Sequence, residues 1–456
     1  MQQRITSILP ICRKPALQRS NKGFLPGQGV RILRAPCPVQ RMDSMEKEQK
    51  NEILAPAGDM ECLQNALHFG ADAVYLAGRE FGMRTAPENF DRAGLKEAIQ
   101  TAHHKGAKLY VACNILPRND QLPRLPGFLE YINQCGADAL IVADMGVLAL
   151  AKKYAPQVDV HISTQAGIVN YESARAFYDM GASRVVLARE LSLEEIAQIR
   201  AKAPSRLELE CFVHGAMCVS FSGRCLLSSY LTGRDANRGD CAQPCRWKYH
   251  LYEESRQGRF FPVEEHNGGT YLYNSRDLCM IDHIKALVQA GIFSFKIEGR
   301  AKSAYYTAVV TNAYRKALDD YYQNGHAEGY AVPEWIRQEL DKISHREYST
   351  GFFFGGEPGQ TQDNGGYIRN YEVVAVCIGR RGGRAVVTQR NRFFAGDTVD
   401  VLPYSGIPFQ AKIRGLYDSQ GNPVESAPHP MQELLIETDE EISDGAILRK
   451  KRAAAD

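Results

Sequence analysis

From about residue 50 onward, short apolar runs alternate with amphipathic stretches of helical periodicity, such as residues 91–104 and 193–202. There are eight such runs, at residues 53–57, 73–77, 108–114, 139–144, 158–164, 184–190, 206–213 and 293–300. Continuous apolar strands that alternate with helices are typical of a parallel sheet covered on both faces. Eight of them predict an α/β fold with a closed (β/α)8 TIM-like barrel over residues 50–325.

The pattern changes after this region. Residues 326–365 are rich in turn formers and predict a linker. Residues 366–452 contain short alternating runs broken by Gly and Asn, which predict a small antiparallel β-barrel. Residues 378–394 hold five arginines and no acidic residue. These are Arg380, Arg381, Arg384, Arg390 and Arg392. With Phe393 and Phe394 beside them they favour RNA binding. The alternative is an ordinary solvated face.

The N-terminal segment differs from the rest in its charge. Its first 42 residues carry eight Lys or Arg, and no acidic residue precedes Asp43. We expect residues 1–48 to be a disordered extension, either a transit-like or nucleic-acid-binding arm or the product of a start codon assigned too far upstream. In the latter case Met42 or Met45 would be the beginning.

The composition describes a folded protein of two or three domains: 456 residues, 44% of them apolar, with a net charge of +2. No run of 18 apolar residues occurs, so we expect no membrane partner. Twelve cysteines are too few for a disulfide scaffold of this length. We therefore expect a cytoplasmic protein whose clustered cysteines bind metal or act in redox chemistry.

Five of these cysteines lie between Cys211 and Cys245, and Cys279 follows. Six residues lie between Cys211 and Cys218, and six between Cys218 and Cys225. Fifteen lie between Cys225 and Cys241, three between Cys241 and Cys245, and thirty-three between Cys245 and Cys279. Only Cys241 and Cys245 are as close as the paired ligands of zinc ribbons and fingers. Iron-sulfur clusters tolerate irregular spacing, so the pattern favours such a cluster. Zinc and redox or buried cysteines stay open.

Polar residues at the C-terminal ends of barrel strands line the active sites of TIM barrels. Here these positions hold Asn114, Asp144, His161, Ser163, Gln165, Arg189, Glu190, Glu210, His214, Lys296, Glu298 and Arg300. Strand alternation in 295–300 (FKIEGR) puts Lys296, Glu298 and Arg300 on one face, where they could grip an anionic ligand. An internal ion-pair ladder is the competing interpretation.

Several longer motifs resemble a known family. The segment ECFVHGAMC, which ends at Cys218, is followed by GRCLLS around Cys225, and the opening LAPAGD, HISTQ, NRGDCAQPCRW, NSRDLC and FKIEGR extend the similarity. These motifs resemble the collagenase-like peptidases, many of whose members are oxygen-independent hydroxylases. The resemblance implies a [4Fe-4S] cluster held by Cys218, Cys225, Cys241 and Cys279, with Cys245 as an alternative to Cys241. It also implies prephenate as the hydroxyl donor.

The full-length architecture is similar to members that convert the wobble uridine of tRNA to 5-hydroxyuridine, so the implied partner is a tRNA anticodon loop. For such a reaction we expect Arg189, Lys296 and Arg300 to bind a dicarboxylic donor. Proton transfer is assigned to catalytic candidates Glu210, His214 and Glu298. A splayed base would stack on aromatic rings, for which the candidates are Phe81, Tyr230, Trp247 and Tyr249.

Two other activities stay open. Relatives modify ribosomal RNA, and the family's name carries a claim of peptidase activity, either thiol- or metal-dependent. The sequence has no HExxH zinc helix and no GxSxG elbow. A thiol peptidase would need one activated cysteine, for which His214 and Cys218 are a conceivable pair.

Overall fold

The computed structural model describes residues 50–83, 88–218, 220, 225–236, 240–249, 265–266, 269–271, 275–325, 327, 329–356 and 367–452. The extension expected over residues 1–48 lies outside this part of the chain. No helix within the described residues is both long enough and apolar enough to cross a membrane.

Eight parallel strands form a closed barrel, which confirms the predicted fold. They are β1 (Glu52–Pro56), β2 (Ala73–Ala77), β3 (Lys108–Cys113), β4 (Ala139–Val142), β5 (Asp159–Ile162), β6 (Arg184–Val186), β7 (Glu208–Ala216) and β12 (Ser294–Ile297). Strands β1 to β7 follow one another in order, and β12 lies between β7 and β1. Each coincides with one of the eight apolar runs, because both faces of a covered strand are buried.

Helices cover the outside of this barrel. They are α1 (Met60–His68), α2 (Arg92–His104), α3 (Leu125–Cys135), α4 (Met145–Tyr154), α5 (Tyr171–Asp179), α6 (Leu193–Lys202), α8 (Ile284–Gln289) and α9 (Ala304–Asn324). Many begin at a side chain that accepts a hydrogen bond from the first turn. Asp59, Asp91 and Asp144 do so for α1, α2 and α4, and Ser192 with Glu195 forms a capping box on α6.

The described residues between β7 and β12 contain one further α-helix and four further strands. They are α7 (Leu227–Thr232), β8 (Lys248–Tyr249), β9 (Glu265–His266), β10 (Gly269–Tyr271) and β11 (Asp277–Cys279). Strands β8, β10 and β9 form a small antiparallel sheet. Strand β11 returns antiparallel to the end of β7, with Asp277 opposite Ala216 and Cys279 opposite His214. The segment therefore leaves the barrel and comes back at the same strand.

The C-terminal part forms the predicted small antiparallel barrel. After α10 (Glu334–Leu340) and β13 (Tyr348–Ser349), which pairs with β11, come β14 (Tyr371–Arg381), β15 (Arg384–Gln389), β16 (Thr398–Leu402), β17 (Phe409–Tyr417), β18 (Glu433–Thr438) and β19 (Ile447–Lys451). The strand order is β14-β15-β18-β17-β16-β19, and β14 closes on β19. Valines, isoleucines and leucines from alternate positions fill its interior.

A buried ion network joins the two barrels. Arg449 of β19 lies 2.6 Å from a carboxylate oxygen of Glu339 in α10 and 2.7 Å from one of Asp400 in β16. Lys342 contacts the same two carboxylates, each at 2.7 Å. Because Arg449 and Glu339 are both buried, these contacts fix how the small barrel is seated.

Candidate active site

Charged side chains fill the N-terminal half of the large barrel. Arg184, the first residue of β6, is buried and lies 2.7 Å from Glu52 of β1, 2.7 Å from Glu208 and 3.0 Å from Glu210, both of β7. The hydroxyl of Tyr110 donates a 2.6 Å hydrogen bond to Glu52. Burial opposes ionisation of Glu52, but Arg184 and these hydrogen bonds lower its pKa overall. Glu52 is therefore a carboxylate at neutral pH.

Lys296 extends this network toward the middle of the barrel. Its Nζ donates to Oε1 of Glu210 at 2.6 Å, and both side chains are buried. The same Nζ lies 4.6 Å from the ring centroid of Tyr75 and 5.3 Å from that of Phe212. Lys296 faces the interior, as alternation predicts, and the ion-pair ladder exists around it. Its assigned role in substrate binding stays a prediction, as does proton transfer by Glu210.

At the C-terminal mouth a second cation lies on the same ring. The guanidinium carbon of Arg189 is 3.9 Å from the ring centroid of Phe212. Arg189 donates from Nη2 to Glu298 at 3.0 Å and from Nη1 to the carbonyl of Ala216 at 2.9 Å, whereas its buried Nε has no protein hydrogen-bond partner. The structure thus brings together Arg189 and Glu298, two residues predicted on separate strands. Arg300 lies buried in the turn between β12 and α9.

His214 lies in an aromatic enclosure. Its ring centroid is 6.0 Å from that of Tyr306, 5.6 Å from that of Tyr314 and 5.4 Å from that of Tyr348. Burial, with smaller contributions from His345 and Lys302, lowers the pKa of His214 to about 3. Its Nδ1 has no protein hydrogen-bond partner. The imidazole is therefore neutral at physiological pH, with one ring nitrogen unused by the protein.

Gly215 allows the close approach of two chain segments at this point. It adopts φ +110°, which disfavours other residues. A Cβ there would lie 2.5 Å from the carbonyl oxygen of Glu298. The backbone N–H of Glu298 donates to the carbonyl of His214 at 2.9 Å. Glycine is thus required where β7 meets the residues that follow β12.

The four cysteines assigned to a cluster belong to the segment between β7 and β11. Cys218 follows β7 and is exposed, Cys225 precedes α7, Cys241 is exposed and Cys279 ends β11. A hydrogen bond of 2.9 Å from the N–H of Ala242 to Oγ of Ser228 ties the Cys241 loop to α7. None of the ten cysteines in the described ranges forms a disulfide.

Cysteines on adjoining elements suit the chemistry of a [4Fe-4S] cluster, which takes four thiolates. Their arrangement is not that of a closed site: among the residues that the structure describes, no three His, Cys, Asp or Glu side chains are grouped closely enough to hold a metal ion. Burial raises the pKa of Cys279 to about 12, so without a metal this side chain is a thiol. Cys211 lies within β7 in the core, and Cys245 is partly buried beside Cys241. The structure does not choose between Cys241 and Cys245.

The predicted stacking residues fall into different environments. Phe81 is buried and contacts Phe128, so it belongs to the core. Tyr230 is 88% exposed and Trp247 is 42% exposed, near Cys225 and Cys241 in sequence. The side chain of Tyr249 lies outside the described residues. Tyr230 and Trp247 are thus exposed, and their role in stacking stays a prediction.

Four of the five predicted RNA-binding arginines contact carboxylates. Arg380 pairs with Glu441, and Arg381 lies 3.0 Å from Glu433. Arg384 is 3.9 Å from Glu437, and Arg390 is 2.7 Å from Glu61 of α1. Arg392 differs, since its guanidinium lies 5.0 Å from the ring centroid of Phe394. The acid-free run is therefore largely charge-matched by residues distant in sequence.

Sequence reasoning missed Arg184 and Glu52, the centre of the axial network. It also expected His161 at the C-terminal mouth. Instead His161 lines a polar cavity of about 160 Å³ at the N-terminal mouth, together with residues such as Lys108, Arg184 and Glu208. The available signal was a charged residue at the start of an apolar strand, which Arg184 and Glu52 both are.

Family models match both parts of the chain. Residues 58–363 match peptidase family U32, and residues 369–449 match the peptidase family U32 C-terminal domain. The chain belongs to peptidase family U32. The resemblance drawn from the cysteine-rich motifs is confirmed, and the two matched regions correspond to the two barrels of this U32 protein.

Relatives of this U32 chain carry names that refer to RNA. It is 36% identical over 407 residues to tRNA hydroxylation protein P1 of Bacillus subtilis, covering 88% of this chain and 95% of that one. It is 34% identical to tRNA hydroxylation protein P of Escherichia coli, with 83% and 92% covered. A 23S rRNA 5-hydroxycytidine synthase of Escherichia coli is 38% identical, but only 46% of its length and 68% of this chain are covered.

Proposed function

We propose that this protein hydroxylates RNA, and specifically that it converts the wobble uridine of tRNA to 5-hydroxyuridine. The observation that carries the proposal is the extent of similarity to tRNA hydroxylation proteins. It reaches 95% of the Bacillus subtilis relative and so includes both barrels. The rRNA 5-hydroxycytidine synthase is covered over less than half its length, which favours a tRNA over a ribosomal substrate.

The mouth of the large barrel supports a reaction on a bound anion. Arg189 and Lys296 contact one ring, that of Phe212, and each holds a carboxylate, Glu298 and Glu210 respectively. We assign the mouth to prephenate, the hydroxyl donor that the resemblance to the family implies. A donor carboxylate would take the place of Glu298 on Arg189, because guanidinium groups bind carboxylates in the same geometry. Arg300 completes the cationic set.

In this proposal Glu298 transfers the proton, and the neutral imidazole of His214 beside it is a hydrogen-bonding group. Their backbones are joined by the hydrogen bond from Glu298 to His214, so strand β7 and the turn after β12 set their separation. The tyrosines around His214 exclude water from its ring. Its Nδ1, which has no protein hydrogen-bond partner, is available for a hydrogen bond with the substrate.

We assign a [4Fe-4S] cluster to Cys218, Cys225, Cys241 and Cys279. When bound, it would supply electron transfer or Lewis acidity beside the base. The support is that all four cysteines belong to the segment that leaves β7 and returns to it through β11. Two of them anchor that segment, since Cys218 follows β7 and Cys279 lies opposite His214.

A thiol peptidase has less support. A cysteine nucleophile needs an imidazole that accepts its proton. The pKa of His214 is lowered to about 3, which makes it a poor base, and its ring contacts three tyrosines.

The first test is metal analysis of protein purified without oxygen. We expect about four iron and four sulfide per chain, the content of one cubane cluster. Cys218→Ala should lose them, whereas Cys135→Ala, at the end of α3, should retain them. Zinc alone, or no metal in a folded protein, would rule out the cluster.

The second test is the reaction itself. Unmodified tRNA is incubated with the reconstituted protein, with or without prephenate, and the nucleosides are analysed by mass spectrometry. We expect 5-hydroxyuridine only when prephenate is present. Hydroxylation of ribosomal RNA instead of tRNA would correct the substrate, and release of peptides from gelatin without any RNA product would favour the peptidase.

A further inference from the structure

An exposed aromatic ring on the small barrel has two cations beside it. Phe394, in the turn between β15 and β16, is 40% exposed. The guanidinium carbon of Arg392 is 5.0 Å from its ring centroid, and Nζ of Lys450 is 6.0 Å from it. We call Arg392, Phe394 and Lys450 the Phe394 patch.

The charge of this patch is less compensated than that of the neighbouring arginines. Within the described part of the chain no carboxylate lies in ion-pair range of Arg392, whereas Arg380, Arg381 and Arg390 each have one. Lys450 has only long contacts, 3.6 Å to Asp397 and 4.0 Å to Glu372. Positive charge is thus available to an anion at this point of the barrel.

The patch is held in place by the turn that carries it. The N–H of Phe394 donates to Asp397 at 3.0 Å, and Nζ of Lys450 donates to the carbonyl of Arg392 at 3.1 Å. The neighbouring Phe393 is fully buried in the barrel core. Phe393 therefore anchors the turn while Phe394 is kept on the surface, which reduces the ordering cost when a ligand binds.

We propose that the Phe394 patch binds a single-stranded segment of RNA, with a base stacked on Phe394 and a phosphate held by Arg392 and Lys450. Proteins that bind single strands combine aromatic rings with a positively charged surface in this way. An acidic peptide would use the cations but gain nothing from the ring. The inference rests on the proposed function in one respect, that the RNA is the substrate of the same chain.

The test is fluorescence anisotropy of the full chain with a labelled single-stranded oligoribonucleotide. Phe394→Ala should weaken binding about tenfold, the effect of losing one stacked base. Arg392→Ala should reduce the slope of log Kd against log salt by about 0.7, the value for one phosphate on a single strand. Arg414→Ala is the matched control, because this exposed arginine of β17 in the same barrel is paired with Asp439; its affinity should change less than about twofold.

Several outcomes would contradict the proposal that the Phe394 patch binds RNA. They are unchanged affinity in both Phe394→Ala and Arg392→Ala, equal loss in Arg414→Ala, no RNA binding by the wild type, or tighter binding of a polyglutamate peptide than of RNA. The tRNA hydroxylation assay keeps the two proposals separate. If the protein hydroxylates tRNA but the Phe394 patch does not bind RNA, only the proposed function is supported. If the patch binds RNA but no hydroxylation occurs, only the patch is supported.

Discussion

The two ends of the large barrel use charge in different ways. At the N-terminal half, the guanidinium of Arg184 contacts three carboxylates, and one of these, Glu52, also accepts from Tyr110 and Ser294. At the C-terminal mouth, Arg189 shares one carboxylate and leaves a buried nitrogen without a protein partner. His214 there has an unused nitrogen as well.

This difference indicates a division of labour. Fully paired charges stabilise a fold, whereas a buried polar group without a protein partner calls for an explanation, such as a ligand. The buried Nδ1 of His161 is an exception at the N-terminal end, since it too has no protein partner. The division follows the general behaviour of TIM-like barrels, in which the C-terminal face carries the chemistry and the opposite face stability. Lys296, in the middle of the barrel, links the two ends. It pairs with Glu210 of the N-terminal network, and it contacts the ring of Phe212 on which Arg189 also lies.

The largest effect is expected when the N-terminal network is broken. Arg184→Met should lower the free energy of unfolding by about 3–5 kcal/mol, because it strands buried carboxylates without their partner. Urea denaturation measures this. Arg337→Met is the control, because its ion pair with Asp282 is half-exposed and should contribute about 0–1 kcal/mol. If Arg184→Met and the wild type were equally stable, the N-terminal network would not stabilise the fold.

A smaller effect on stability but a clear effect on activity is expected at the mouth. Arg189→Gln should reduce tRNA hydroxylation about tenfold or more, equivalent to about 1.4 kcal/mol, by removing a guanidinium that binds a donor carboxylate. Raising the prephenate concentration should restore part of the rate. If Arg189→Gln instead unfolds as readily as Arg184→Met and keeps full activity per folded chain, the mouth is structural too.

The smallest effect concerns His161, in the N-terminal cavity. Burial, and then the charges of Arg184, Lys296 and Lys108, hold its pKa well below the ordinary value of 6.5. In the unfolded chain it binds a proton near pH 6.5, so acid favours unfolding. From pH 7 to pH 6 this costs about 0.7 kcal/mol of stability.

His161→Phe should remove that part of the pH dependence, which urea titrations at the two pH values would detect. Glu52 adds a separate loss at lower pH. Its lowered pKa gives stability that is present above the usual carboxyl range and disappears as the pH falls through the folded value. A decline from pH 7 to pH 6 that is the same in His161→Phe and wild type would contradict the assignment.

The strands of both barrels could be predicted because their signal is local. Each apolar run reports its own burial, and residues 184–190 and 293–300 contain β6 and β12 as the structure has them. Partners of charged residues are not local. Arg184 meets Glu52 only because eight strands close on themselves, and no pattern along the chain says which strand-start charges converge.

The arginines of the small barrel repeat this lesson. Residues 378–394 look uncompensated because their acidic neighbours come from β18, from the loop that follows it and from α1. Glu433 reaches Arg381 across the sheet, and Glu61 reaches Arg390 from the other barrel. Among the described residues, Arg392 alone of the five has no carboxylate in ion-pair range, and RNA binding by all five stays a prediction. Which arginine meets a carboxylate depends on the register between strands, and the sequence does not state that register.

The return of β11 to β7 has a consequence for how this family can diversify. Because Ala216 and Asp277 are opposite each other, the excursion between them begins and ends at the same place on the barrel wall. Lengthening a loop whose ends are already joined costs little, since its closure entropy grows only with the logarithm of its length. The cysteine-bearing segment can therefore be lengthened or replaced while the strands of the large barrel keep their register.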